Sequence, residues 1–195
     1  MKVPLRYQMS EYDCGPTSLL NAVSYLFEEE EISPDLIRGV MLYCLDGFGS
    51  DGVIGKTGTT ATAMMFLSNW LTNYGKTGRL PIACRYFAGD AVHFHDDSPI
   101  LTALRSGAVA VQRLYLDVGH YVLLTGVEGE RVRLFDPYYE ETTYDDPDIQ
   151  VIHDQPFACN RIVPIPVLEQ EGEADYNLGP VPLRETVLLF HEGKA

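Results

Sequence analysis

Gln8-Met9-Ser10-Glu11-Tyr12-Asp13-Cys14-Gly15-Pro16-Thr17-Ser18 runs straight into a segment where Leu19, Leu20, Val23, Leu26 and Phe27 recur at helical spacing. The periodicity predicts a helix over 15–27, with polar residues opposite one apolar stripe. Cys14 therefore stands at a helix's opening turn, where unpaired backbone N–H groups and the helix dipole favour an anion. A thiol placed there is biased toward thiolate, the nucleophilic form. Gly15 removes side-chain bulk beside it, and Pro16 suits a first turn because its missing N–H would go unused. A lone free cysteine elsewhere is usually a small buried hydrophobe, which is the reading given to Cys44, Cys84 and Cys159.

Two more helices follow, Pro34 to Leu45 and about Thr60 to Tyr74, around a glycine-rich loop from Asp46 to Gly58. Beyond Gly78 the character turns to short β-prone runs near Ile82–Phe87, Ala108–Tyr115, Tyr121–Val127, Arg131–Phe135, Arg161–Ile165 and Thr186–Phe190. A short helix is expected over Ile100–Ser106, and Glu128-Gly129-Glu130 joins two strands as a hairpin. Helices first and a mostly antiparallel sheet after is the order of an α+β domain. With no repeat or low-complexity tract, residues 1–195 read as one domain, and Glu169–Asp175 as an exposed connection.

A nucleophilic thiol needs a base, and of the five histidines His120 is the best placed. It follows Val118-Gly119 and opens the apolar run Tyr121-Val122-Leu123-Leu124. The hairpin's return strand, Val132-Arg133-Leu134-Phe135, ends in Asp136-Pro137, so the antiparallel geometry brings a carboxylate back beside His120. A carboxylate there can orient the imidazole and stabilise imidazolium. Taken singly, these two would pass for a surface histidine and a turn-initiating Asp-Pro.

Taken together, QMSEYDCGPTS, GHYVLLTG and RLFDP resemble cysteine peptidase family 39, the bacteriocin-processing, double-glycine leader peptidases of the papain-like superfamily. The resemblance implies a papain-like α+β fold and a thioester mechanism without metal or organic cofactor. It assigns Cys14 as nucleophile, His120 as acid and base, Asp136 as the residue fixing the ring, and Gln8 as an oxyanion donor beside the Cys14 backbone N–H. The implied function is a stand-alone peptidase cleaving a peptide amide. Two rivals share the fold: an acyltransferase passing the same thioester to an amine or thiol, and a non-catalytic module that binds leader peptides. The chain lacks room for the membrane transporter and ATPase to which the best-known members are fused.

Charge and composition exclude other classes. With 28 acidic against 14 basic side chains the formal net charge is −14, which argues against a nucleic acid or an anionic membrane as partner. The uncharged run Thr57–Gly75 is too rich in Gly, Thr, Ser and Asn to span lipid, and the N-terminus lacks the apolar core of a signal peptide. Few, unpatterned cysteines point to free thiols in a reducing compartment, hence the cytoplasm. The acidic piece Tyr138 to Asp148, leaving directly from Asp136, is expected to be a solvated loop that could rim the cleft and favour a cationic substrate. Gly55-Lys56-Thr57 echoes a phosphate loop without its earlier glycine or preceding strand. His93, His95, Asp96 and Asp97 offer metal ligands without defined spacing to a third, and are expected as exposed loop residues.

Overall fold

The apolar stripe around Leu19 and Val23 forms α1, Cys14–Leu26, in a computed structural model that describes residues 1–193 apart from 96, 142, 143 and 145. Helix α2, Pro34–Cys44, starts with Ser33 as N-cap, its hydroxyl accepting from the Asp35 N–H, and Pro34 in the first turn. Helix α3, Ala61–Lys76, is capped by Thr60, whose hydroxyl accepts from the Ala63 N–H. Between α2 and α3 the glycine-rich loop is irregular, stitched by a single bridge between Phe48 and Ile54.

Then come β1 (Ile82–Ala88), α4 (Pro99–Arg105), β2 (Val109–Leu116), β3 (Val118–Glu128), β4 (Arg131–Phe135), β5 (Gln150–Val151), β6 (Arg161–Pro164), a single-turn α5 (Ile165–Leu168) and β7 (Glu185–His191). The strands form one sheet in the order β1-β7-β2-β3-β4-β6-β5, with every neighbouring pair antiparallel. The α+β arrangement expected from the sequence, helices first and antiparallel sheet after, is the arrangement found. No helix among the described residues is long and apolar enough to cross a membrane.

The period-two alternation of the central strands gives the sheet two apolar faces. Val109 and Val111 of β2, Tyr121 and Leu123 of β3, and Val187 and Leu189 of β7 pack with α1, α2 and α3. Ala110, Leu114, Val122, Leu124, Leu134 and Leu188 pack on the other side with α4 and with Leu168, Tyr176 and Leu178 of the C-terminal part. Two of the strand limits that differ from expectation have a plain physical cause. Strand β3 begins at Val118, because Asp117 alone, in the left-handed region at φ 58°, separates Leu116 from its partner Val118. Strand β6 stops at Pro164, where a proline cannot donate to a ladder and a helical turn takes over.

Candidate active site

Cys14 is the first residue of α1. The first bond into the helix is made by the Thr17 N–H to Asp13 O at 3.0 Å, so the N–H groups of Cys14 and Gly15 precede the helical ladder. Asp13 does not cap the helix; its carboxylate accepts from the N–H groups of Met9 and Ser10 and from the Ser10 hydroxyl. These bonds outweigh the cost of burial and hold the Asp13 carboxyl below its ordinary range. They also fold the loop carrying Gln8 back over the start of α1. Gly15 is required by packing: a Cβ there would lie 2.2 Å from Thr59 Oγ1 and 2.8 Å from Thr59 Cβ.

His120 is the third residue of β3, paired with Leu114 across the β2–β3 hairpin. Asp136 follows the last residue of β4, whose Phe135 pairs with Leu123. The two side chains meet: His120 Nε2 donates to Asp136 Oδ1 at 2.7 Å. Both are buried, His120 at 6% and Asp136 at 0% exposure, so the pair sits in a poorly screened environment. Burial alone would lower the His120 pKa, but the charge and hydrogen bond of Asp136, with a contribution from Cys14, push it up to about 10. Burial alone would raise the Asp136 carboxyl; His120, the Tyr176 hydroxyl and the Tyr138 N–H outweigh it and hold the group below its ordinary value. With Nε2 committed to Asp136, Nδ1 is the ring nitrogen left for Cys14.

Cys14, His120 and Gln8 line one cleft of about 840 Å³. Its walls include Lys56–Thr59 of the glycine-rich loop, Leu116–Val118 of the β2–β3 turn, and Tyr138, Glu140 and Tyr144 beyond Asp136. Gly119, beside His120, packs against the end of the Arg113 side chain: a Cβ there would lie 2.2 Å from Arg113 Nη2, so the guanidinium would have to shift. Below the cleft, Tyr121 donates to Glu185 Oε1 at 2.5 Å and Tyr86 donates to Glu185 Oε2 at 2.9 Å, so a buried carboxylate braces the strand that carries His120. Gln8 is anchored through its N–H to Pro137 O at 2.8 Å, next to Asp136. Its Nε2 donates to Ser10 O at 2.8 Å, so only its second amide hydrogen is available toward the cleft in this arrangement. Its Oε1 is buried and has no partner among the described residues.

The four residues singled out in the sequence thus converge. Three supporting residues do not show in the local sequence: Asn160, Arg161 and Tyr176. Asn160 brackets the Asp136 backbone, accepting from its N–H at 2.7 Å and donating to its carbonyl at 2.8 Å. The clearest available signal is Arg161, a cation opening an apolar strand, which implies a buried partner. Of the carboxylates in the acidic piece expected to rim the cleft, Glu140 lines it, Glu141, Asp146 and Asp148 do not, and Asp145 lies outside the described residues. Lys56 and Thr57, read as a phosphate-loop echo, lie in a loop with no strand before it. His93, His95 and Asp97 bring ligand atoms within 4.8 Å of one another, away from the cleft lining, with Asp96 outside the described residues. All four cysteines are free and buried, and burial pushes the Cys44 thiol up to about 12 and the Cys84 thiol up as well.

Comparisons with known proteins bear on this geometry. The sequence model of the Peptidase_C39 like family matches residues 1–154. No curated protein matches the chain. Among solved structures, the fold is similar to a double glycine motif protease from an AMS/PCAT transporter, in complex with the leader peptide. That similarity has 16% identity and a TM-score of 0.45, and it covers 97% of this chain and 90% of that one.

Proposed function

Because the chain belongs to the Peptidase_C39 like family, we propose that it is a cysteine peptidase acting through Cys14, His120 and Asp136. The observation that carries this reading is the buried His120–Asp136 pair at 2.7 Å, in the same cleft as a cysteine that opens a helix. An imidazole kept protonated to about pH 10 is suited to stand beside a thiolate. The Cys14 sulfur attacks the amide carbonyl carbon, forming the C–S bond and an oxyanion. Donors from the Cys14 backbone N–H and the Gln8 side-chain amide would each contribute about 3–4 kcal/mol at the transition state. His120 passes its proton to the leaving amine as the C–N bond breaks. The neutral imidazole then takes a proton from water, which attacks the thioester and frees the thiolate.

Peptide is the substrate class, and leader peptides are the first to test, since the motifs around Gln8, Cys14, His120 and Asp136 resemble double-glycine leader peptidases. Among the described residues, the cleft carries the carboxylates Glu11, Asp117, Glu140 and Asp175 against Lys56 and Arg113, which favours basic over acidic peptides. The reading takes residues 1–195 as one unit, supported by a single sheet that draws strands from both halves of the chain. It also places the protein in the cytoplasm, where four free thiols persist.

Alkylation by iodoacetamide should modify Cys14 faster than a model thiol at pH 7, and His120→Ala should slow it by at least tenfold. Cleavage of a peptide panel should vanish in Cys14→Ala. A Cys14 that reacts like a model thiol, unaffected by His120→Ala, would favour the binding-module reading. Product partitioning toward added amines during turnover would favour acyl transfer.

A further inference from the structure

Asp136 is gripped from its far side by residues beyond the 1–154 stretch that matches the family. Its Oδ1 accepts from His120 Nε2 at 2.7 Å and from the Tyr138 N–H at 2.8 Å. Its Oδ2 accepts from the Tyr176 hydroxyl at 2.7 Å. The Tyr176 oxygen lies 3.2 Å from Arg161 Nε and 2.8 Å from the Tyr144 hydroxyl, and Arg161 Nε also reaches Tyr144 at 3.1 Å.

Counting protons gives this network a direction. A phenol has one proton and two lone pairs, and a guanidinium only donates. The carboxylate has no proton, so Tyr176 must give its own to Asp136. Tyr144 is then the donor in the tyrosine pair, and the single Arg161 Nε hydrogen is shared between both oxygens. The Tyr176 hydroxyl is thereby fully used, giving one bond and receiving two. Arg161, Tyr176 and Asp136 are buried, at 2%, 0% and 0% exposure, whereas Tyr144 reaches the cleft wall.

The backbone adds an independent sign. Tyr176 has φ 63°, a left-handed conformation that is costly for a bulky side chain and persists where surroundings over-determine it. Strand β2 supplies that constraint: the Tyr176 N–H donates to Tyr115 O at 2.7 Å, and the Tyr115 N–H donates to Asn177 O at 2.9 Å. The chain is bent against its preference at the residue whose hydroxyl bonds Asp136 Oδ2.

We infer that Tyr176 is a positioning residue, loaded by Arg161 and Tyr144, whose hydroxyl fixes the Asp136 carboxylate so that it aims His120 at Cys14. This rests on reading Cys14, His120 and Asp136 as the reacting set. The titratable and charged groups facing Asp136 are His120 from β3, Arg161 from β6, and Tyr144 and Tyr176 from the segments flanking it, with Cys14 of α1 acting through His120. Removing the Tyr176 hydroxyl takes away one of the bonds that favour the carboxylate, so Asp136 protonates at higher pH and releases its hold on His120.

The full chain is compared with Tyr176→Phe and Tyr144→Phe. Two readouts are followed against pH, the iodoacetamide alkylation rate of Cys14 and the imidazole NMR signals of His120. In Tyr176→Phe the acid limb of the alkylation profile should move up by about one pH unit, the size expected for losing one bond to a buried charge. Tyr144→Phe should move it the same way by less, because Tyr176 then accepts one bond fewer and donates more weakly. Profiles of Tyr176→Phe that superimpose on wild type, with or without a loss of thermal stability, overturn the inference. Should Tyr176→Phe fail to fold, a Tyr144→Phe profile that superimposes on wild type overturns it equally. Neither readout needs a peptide, so a wild-type protein that alkylates fast, shifts on mutation and cleaves nothing removes the peptidase reading and leaves this one standing.

Discussion

His120 and Asp136 carry opposite charges in a place that would tolerate neither alone. Breaking such a buried pair by removing one partner typically costs about 3–5 kcal/mol, because the survivor is left uncompensated. The pH dependence follows from both shifts. His120 titrates above its ordinary 6.5, at about 10, so its contribution is whole below pH 6.5 and is lost as pH climbs toward 10. Asp136 titrates below its ordinary 3.8, so its contribution is whole above that value and is lost as pH falls through the lowered one. The difference in unfolding free energy between wild type and His120→Gln should therefore be largest at about pH 4–6.5 and narrow steadily toward pH 10. Urea titrations across that range check it; a difference that stays constant to pH 10 would show the pair to be uncharged. Cys14, His120 and Asp136 were legible in the sequence because each is a chemically pointed residue at the end of a periodic segment, whereas Gln8 came only from the family resemblance. Asn160, Arg161 and Tyr176 were not, because what makes them matter is a partner far away in the chain, and no local period encodes it.

Helix α1 and strand β3 set the distance between Cys14 and His120. Ser18, one turn into α1 and fully buried, donates its hydroxyl to Tyr121 O at 3.0 Å, one residue past His120. That bond links the two elements four residues from Cys14 and one from His120. Ser18→Ala should cost about 1–2 kcal/mol in urea unfolding, the usual loss for one buried hydrogen bond. It should also slow Cys14 alkylation several-fold by loosening the register of helix against strand. An unchanged alkylation rate would mean that packing alone sets the register. The main helices and the longer strands were readable to within a residue or two, since a 3.6 or a 2.0 period needs only local sequence. The short β5 and α5 were not, because two to four residues carry no period. The start of β3 was missed for a different reason: a one-residue turn at Asp117 leaves no loop signal between the strands.

At the scale of the whole molecule, the sequence supports an antiparallel sheet but not its order. Strand β7, from the last part of the chain, lies between β1 and β2, pairing Ala83 with Phe190 on one side and Val111 with Val187 on the other. Strand order depends on which faces and edges match across long separations, which composition and periodicity do not record. A chain ending at Leu183 should fail to give a cooperative unfolding transition, since it loses an inner strand and the buried Glu185 carboxylate under Tyr121. Circular dichroism with urea checks this; a two-state transition in the shortened chain would show that the rest is self-sufficient. The position of β7 also has a consequence in time. Cys14, His120 and Asp136 have all been synthesised once the ribosome passes residue 136, yet the strand that closes the sheet is made 55 residues later. At roughly 5–20 residues per second that interval lasts roughly 3–11 seconds. Over that interval the nascent chain gains Arg161, Tyr176 and Glu185 in turn, so translation itself holds back the packing around Cys14, His120 and Asp136 until β7 has been made.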